Sequence, residues 1–173
     1  FYTVEYAGVD RANGDALYWK NKTNDDGSTN IDHSAGTTSN YNDANRVVVG
    51  NPNPRWVGGV TNTLNYKGVE LNFTFQGVFG NKIFDGGGQY QAANASNGFD
   101  NQTTDQLNRW QKPGDITNVP QARLFEGNGT ANSTRYLSNG DYVRLKTTTL
   151  SYTLPAAVVG KAMLERVRIY LTG

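Results

Sequence analysis

The strongest constraint on this chain is the stretch NPNPRWVGGVTNTLNYKGVELNFTFQGVFGNKIF, residues 51–84, in which polarity alternates on both sides of a Lys-Gly pair. In extended backbone, successive side chains point to opposite faces. Before the pair, Trp56, Gly58, Val60, Asn62, Leu64 and Tyr66 share one face, while Arg55, Val57, Gly59, Thr61, Thr63 and Asn65 share the other. After it, Val69, Leu71, Phe73, Phe75, Gly77 and Phe79 stand opposite Glu70, Asn72, Thr74 and Gln76. With Lys67 and Gly68 as the two central residues of a hairpin turn, Gly being free to take positive φ, Tyr66 pairs with Val69. Leu64 then meets Leu71, Asn62 meets Phe73, Val60 meets Phe75, Gly58 meets Gly77 and Trp56 meets Phe79, so both apolar sets fall on one face. A slip of one residue would destroy that match, so the pattern specifies the register.

Such a ribbon needs a water-free surface to face. From Trp56 to Tyr66 the rise, at about 3.3 Å per residue and a tilt of about 45°, is about 23 Å, close to the roughly 25 Å apolar band of an outer-membrane barrel. Strands of globular domains are usually only about 5–6 residues long. The aromatic residues Trp56 and Phe79 at one end and Tyr66 at the other fit interfacial girdles. The alternative is a long hairpin in a soluble, secreted β-sandwich or carbohydrate-binding module that stands alone.

Composition favours an all-β chain with long polar connections. The apolar fraction is 36% and there are 20 Gly residues, against an apolar fraction of about 45–50% in ordinary globular chains. A net charge of +1 gives no electrostatic case for a nucleic-acid partner. With one histidine, His33, and no cysteine, disulfides, thiolate zinc sites and cysteine nucleophiles are excluded. No apolar run is long enough for a membrane helix and no signal peptide is present. A chain that opens FYTVEYAG and stops at RIYLTG inside a strand-like segment reads as part of something longer.

The connections sharpen the expectation. Strands are expected at about 1–6, 55–66, 69–80, 141–154 and 165–173, with long polar segments at 7–54 and 81–140. Such long connections are uncommon inside a compact soluble domain. In outer-membrane barrels, by contrast, periplasmic turns are short and extracellular loops long. Lys67-Gly68 is then a periplasmic turn and the two long segments are extracellular loops. In residues 141–154 the apolar phase changes: Val143 and Leu145 have one parity, Leu150, Tyr152 and Leu154 the other. Either a β-bulge within 146–149 restores a single outward face, or residues 141–146 stand above the bilayer, where facing is free.

Three separated phrases, EYAGVDRANGDALYW (5–19), VVVGNPNPRWVGGVTNTLNYKGVELNFTFQGVFGNKIFD (47–85) and DYVRLKTTTLSYTLP (141–155), resemble in order the C-terminal barrel strands of SusC/RagA-like TonB-dependent transporters. RWQKPGDITNVPQAR (109–123) resembles a loop of the same family. Departures are local, at Arg11-Ala12, Thr147-Thr148 and Ser151. The resemblance implies a fragment of a 22-stranded transmembrane antiparallel β-barrel in the outer membrane of a Gram-negative bacterium, with plug and N-terminal domains outside these residues. It further implies import of glycans or peptides, a SusD-like surface lipoprotein as partner, and coupling to TonB through the missing N-terminal region.

On this reading Val60, Leu64, Leu71, Phe73 and Phe75 face lipid, Trp56, Tyr66 and Phe79 form the girdle, and Glu70, Asn72, Thr74 and Gln76 line the lumen or meet the plug. In the loops, Trp19, Tyr90 and Trp110 either offer aromatic faces to a ligand or partner or pack the loops together. No cofactor, metal or catalytic residue is expected. NKTNDDGSTN (21–30) resembles a calcium loop, but counting back from Gly27 puts Lys22 at the first ligand position and His33 at the twelfth, so it reads as an Asx-rich turn. Glycines 86–88 lack a following Lys-Ser/Thr and read as a flexible loop that does not open a helix. Asp100, Asp105 and Asp115 are scattered without the apolar wall that would tune an acid and base pair.

Overall fold

The computed structural model describes residues 1–92, 96, 98, 100–162 and 164–173. Among them the strands are, in chain order, β1 (Tyr2–Val4), β2 (Tyr6–Val9), β3 (Ala16–Trp19), β4 (Thr37–Thr38), β5 (Arg46–Val48), β6 (Trp56–Tyr66), β7 (Val69–Phe79), β8 (Lys82–Phe84), β9 (Leu137–Asn139), β10 (Tyr142–Thr153) and β11 (Arg168–Thr172). Two short helices, α1 (Gly86–Gln91) and α2 (Ala156–Val159), complete the regular structure apart from 3-10 turns. The chain divides into two compact units, one of residues 1–52 and 82–139, the other of 53–81 and 140–173.

The second unit is one four-stranded antiparallel sheet in the order β11-β10-β7-β6. The β6–β7 register runs from Trp56 opposite Phe79 to Tyr66 opposite Val69 with no slip, as the alternation predicts. Lys67 and Gly68 have φ of 46° and 87°, the two positive angles of a type I′ turn that follows the natural strand twist. Glycine is needed at 68 for a second reason. A Cβ there would lie 2.9 Å from the carbonyl oxygen of Thr153, whose own N–H donates to the Gly68 carbonyl at 2.8 Å.

In β10 a bulge accounts for the change of phase. The β7 register shifts between Leu145 and Thr147, leaving Lys146 as the extra residue. Val143 and Leu145 lie opposite Gly77 and Phe75, while Leu150 and Tyr152 lie opposite Leu71 and Val69. One added residue thus moves both apolar sets of β10 onto the same face as those of β7. β11 continues the pattern, with Ile169 opposite Tyr152 and Leu171 opposite Leu150.

The first unit is built from the two long connections together with residues 1–6, which hold β1 and the start of β2. It contains three small sheets: β2-β3-β4, β1-β5 and β8-β9. Val4, Ala16, Tyr18 and Ala44 form its core, with Tyr6 and Tyr41 packed against them. The Tyr18 ring meets Tyr6 and Tyr41 edge to face, at centroid distances of 6.0 and 5.3 Å, an arrangement worth about 0.5–1.5 kcal/mol per pair beyond area burial. Burial pushes the Tyr18 hydroxyl up to about 12. A core made of tyrosines and small residues suits segments too polar to supply leucine or isoleucine.

Hydrogen bonds tie the two connections to each other within this unit. The buried Asn128 side chain accepts from the Ala16 N–H at 2.8 Å and donates to the carbonyls of Gly14 and Gln121, both at 3.0 Å. Arg123 forms an ion pair with Asp15. The glycines at 86–88 correct the sequence reading: they make the first turn of α1, because Asp85 precedes them and its carboxylate accepts from the Gly88 N–H at 2.7 Å, an N-cap that offsets their poor helix propensity.

Candidate functional site

The four-stranded sheet has two chemically distinct faces. Trp56, Val60, Leu64 and Tyr66 of β6 share one face with Val69, Leu71, Phe73, Phe75 and Phe79 of β7. Across the bulge, Val143, Leu145, Leu150 and Tyr152 of β10 join them, and then Ile169 and Leu171 of β11. Val60 remains 65% exposed and Leu64 54%, and among the described residues of this unit no second sheet covers them. Trp56 and Phe79 face each other at one end of the hairpin, and Tyr66 lies at the other. The row Asn62, Phe73, Thr148 interrupts the apolar face with polar side chains on either side of the phenylalanine. Thr148 Oγ1 has no hydrogen-bond partner among the described residues.

The opposite face carries Glu70, Asn72, Thr74 and Gln76, each with a cross-strand partner. Thr74 bonds to Thr61 at 3.0 Å, and Asn72 donates to Thr63 at 2.7 Å. Gln76 accepts from Arg144 at 3.0 Å, and Glu70 pairs with Arg168. Arg168 also donates to the Ser151 hydroxyl at 2.8 Å, and Ser151 is 2% exposed. Sequence reasoning fixed the β7 residues from parity but missed Arg144 and Arg168. Their facing depends on the bulge and on the β10–β11 register, which no short turn announces.

The three loop aromatics have different surroundings. Trp110 is 6% exposed, its indole N–H donates to the Arg11 carbonyl at 3.1 Å, and it is a packing residue of the loop unit. A Cβ on Gly14, which holds φ of 78°, would come within 2.6 Å of its ring, so only glycine lets the chain pass so closely. Trp19 stacks on His33 at 4.0 Å and 11°, and His33 Nε2 lies 3.2 Å from Glu5 Oε2. Tyr90 is 60% exposed; its hydroxyl donates to Asp100 at 2.6 Å, and that bond raises its pKa above the usual tyrosine value. Residues 21–30 form a turn in which Asp26 accepts from the Ser28 N–H at 2.9 Å and Thr23 bridges to Thr29. None of these groups juxtaposes a nucleophile with a base.

No protein-family model matches the chain. Curated relatives do: TonB-dependent receptor P3 of Formosa agariphila is 35% identical over 130 residues, which are 75% of this chain and 12% of that protein. TonB-dependent receptor P26 of the same organism is 29% identical over 164 residues, 90% of this chain and 16% of the relative. Among solved structures, a chain of the RagAB peptide transporter superposes over 99% of this chain and 18% of its own length, with a TM-score of 0.77 and 26% identity. The RagAB peptide importer in its "open-open" state gives 0.68 and 25% identity. The chain therefore spans less than a fifth of each of these proteins.

Proposed function

Given that the chain belongs to the SusC/RagA-like TonB-dependent receptors, we propose that it supplies part of the wall and two surface loops of an outer-membrane importer in a Gram-negative bacterium. The sheet is an arc of a closed barrel of 22 strands. Val60, Leu64, Leu71, Phe73 and Phe75 face lipid, and Trp56, Phe79 and Tyr66 lie at its two interfaces. Glu70, Asn72, Thr74 and Gln76 face the lumen and its plug. Residues 7–54 and 81–140 are extracellular, and the Lys67-Gly68 turn is periplasmic.

The observation that carries this reading is the gathering of apolar side chains from β6, β7, β10 and β11 on one face, with a bulge at Lys146 that keeps β10 in phase. In water such a face would be an association surface; in a bilayer it is the wall of a barrel. A soluble sandwich would need a second sheet over it, and among the described residues this unit has none. The cargo is a peptide or glycan, taken up with a SusD-like lipoprotein, and energy arrives from TonB through the N-terminal region. The likeness to the RagAB peptide transporter favours a peptide.

The test uses the full-length receptor in outer-membrane vesicles with single spin-labelled cysteines at 72 and 73; the chain itself has no native cysteine. The label at 73 is expected to be relaxed by lipid-dissolved oxygen and the label at 72 by a water-soluble nickel complex. The opposite order would mean that inside and outside are exchanged. Access of the nickel complex to both would speak for a soluble module.

A further inference from the structure

One cavity in the loop unit is not explained by the wall. It measures about 490 Å³ and is lined by Asp100, Asn101, Gln102, Gln106, Leu107 and Arg109 among others, a size suited to a few residues of ligand. Gln106 is 7% exposed, yet its side-chain Oε1 has no hydrogen-bond partner among the described residues. A buried amide oxygen without a donor is disfavoured. The terminal amide torsion of glutamine is soft, so a small turn presents either its carbonyl or its NH2 to a molecule in the cavity.

Beside it, Arg109 is held by Nη1, which donates to the Gln106 carbonyl at 3.2 Å. Among the described residues Arg109 forms no ion pair with a carboxylate. The carboxylate of Asp100 lines the same cavity but is engaged by the Tyr90 hydroxyl at 2.6 Å. The cavity thus offers a guanidinium still able to form a fork with a carboxylate, and amides that can each donate and accept.

We infer that this cavity is a binding site for an acidic peptide, whose carboxylate is anchored by Arg109 and whose backbone amides are met by Gln102 and Gln106. The inference rests on the import reading and specifies its cargo. Two features favour a peptide over a sugar. Paired donor and acceptor groups on Asn101, Gln102 and Gln106 match successive peptide units, and among the described residues no aromatic ring lines the cavity to stack on a pyranose. Leu107, 70% exposed, supplies the apolar contact.

The experiment is calorimetric titration of the full-length receptor with N-acetylated, C-amidated Ala-Ala-Glu-Ala, its Ala-Ala-Gln-Ala counterpart, and digalacturonate. The wild type is expected to bind the acidic peptide about tenfold more tightly than the neutral one. Arg109→Gln abolishes that difference and Arg109→Lys restores part of it. Equal binding of the two peptides by the wild type overturns the proposal even if Arg109→Gln fails to fold. So does an acidic-peptide affinity that Arg109→Gln leaves unchanged, or a preference for digalacturonate that depends on Arg109. Uptake by cells separates the two levels: peptide import that ignores the Arg109 variants sinks the cavity alone, whereas a wild-type receptor that imports neither peptide nor glycan sinks the import reading.

Discussion

Deleting Lys146 and Thr147 together should destabilise the receptor by several kcal/mol, because it removes the extra residue and one ladder residue and so puts the N-terminal part of β10 out of phase with its neighbours. If residues 148–153 keep their register, Leu145 falls opposite Thr74 and Val143 opposite Gln76 on the polar face, while Arg144 falls opposite Phe75 on the apolar one. Arginine on a lipid face costs about 2–4 kcal/mol at the midplane and less towards the interface, so about 2 kcal/mol is reasonable near the end of the strand. The hydrogen bond from Arg144 to Gln76, 3.0 Å long, is also lost, at about 1 kcal/mol. Withdrawing part of a valine and a leucine from the apolar phase adds about 2 kcal/mol. The total of about 5 kcal/mol should appear as a lowered urea midpoint for the full-length receptor in lipid vesicles. The control deletes Lys146 alone: Leu145 and Thr147 then become neighbours opposite Phe75 and Thr74 in a regular ladder, both apolar sets stay on one face, and most of the loss should be absent. A harmless double deletion, or a single deletion as unstable as the double one, would refute the account of Lys146 as the extra residue that reconciles the two phases of β10.

Phe73→Arg should cost about 2–4 kcal/mol in the same vesicle assay and Asn72→Ala less than about 1 kcal/mol, and the reverse order would exchange the two faces. Asn128→Ala leaves the Ala16 N–H and the Gly14 and Gln121 carbonyls without their partner; a loss of about 2–3 kcal/mol is expected, read as faster proteolysis within residues 1–52 and 82–139. Tyr18 has a folded pKa of about 12, above the value of about 10 of an exposed tyrosine. Its contribution to stability is therefore complete below pH about 10 and is lost as pH rises towards 12. Burial raises Tyr6 and Tyr136 as well, so tyrosinate absorbance should show several residues titrating late, together with opening of the loop unit, and Tyr18→Phe should lower the amplitude of that late step by one tyrosine without abolishing it.

The β6–β7 hairpin was legible because period-two alternation and the Lys67-Gly68 turn independently give one register. The bulge was legible only as a change of phase. Thr147, Thr148 and Thr149 are tolerated on either face, so parity could not choose Lys146 as the extra residue. The loop unit was opaque for a different reason. Its core residues Tyr6, Tyr18 and Tyr41 are scattered through polar sequence with no period, and they meet around β3, which pairs with β2 on one side and β4 on the other. For the same reason the sequence leaves Trp110 open between a ligand-facing and a packing role; nothing local announces the Gly14 backbone that packs on it. The Gly86–Gly88 turn was missed because Asp85 was not recognised as a cap.

The bond from the Ala16 N–H to Asn128 joins residues 112 positions apart, and its formation sets an order of events. Long sequence separation makes closure slow, and here the chain of β6 and β7 must be synthesised between the two partners. The first connection therefore leaves the ribosome without the groups that will satisfy it. Until the second connection arrives, the Ala16 amide and the Asp15 carboxylate depend on water. Completion of the loop unit is thus timed by its C-terminal half, and truncation before Asn128 should leave the earlier connection open to proteolysis.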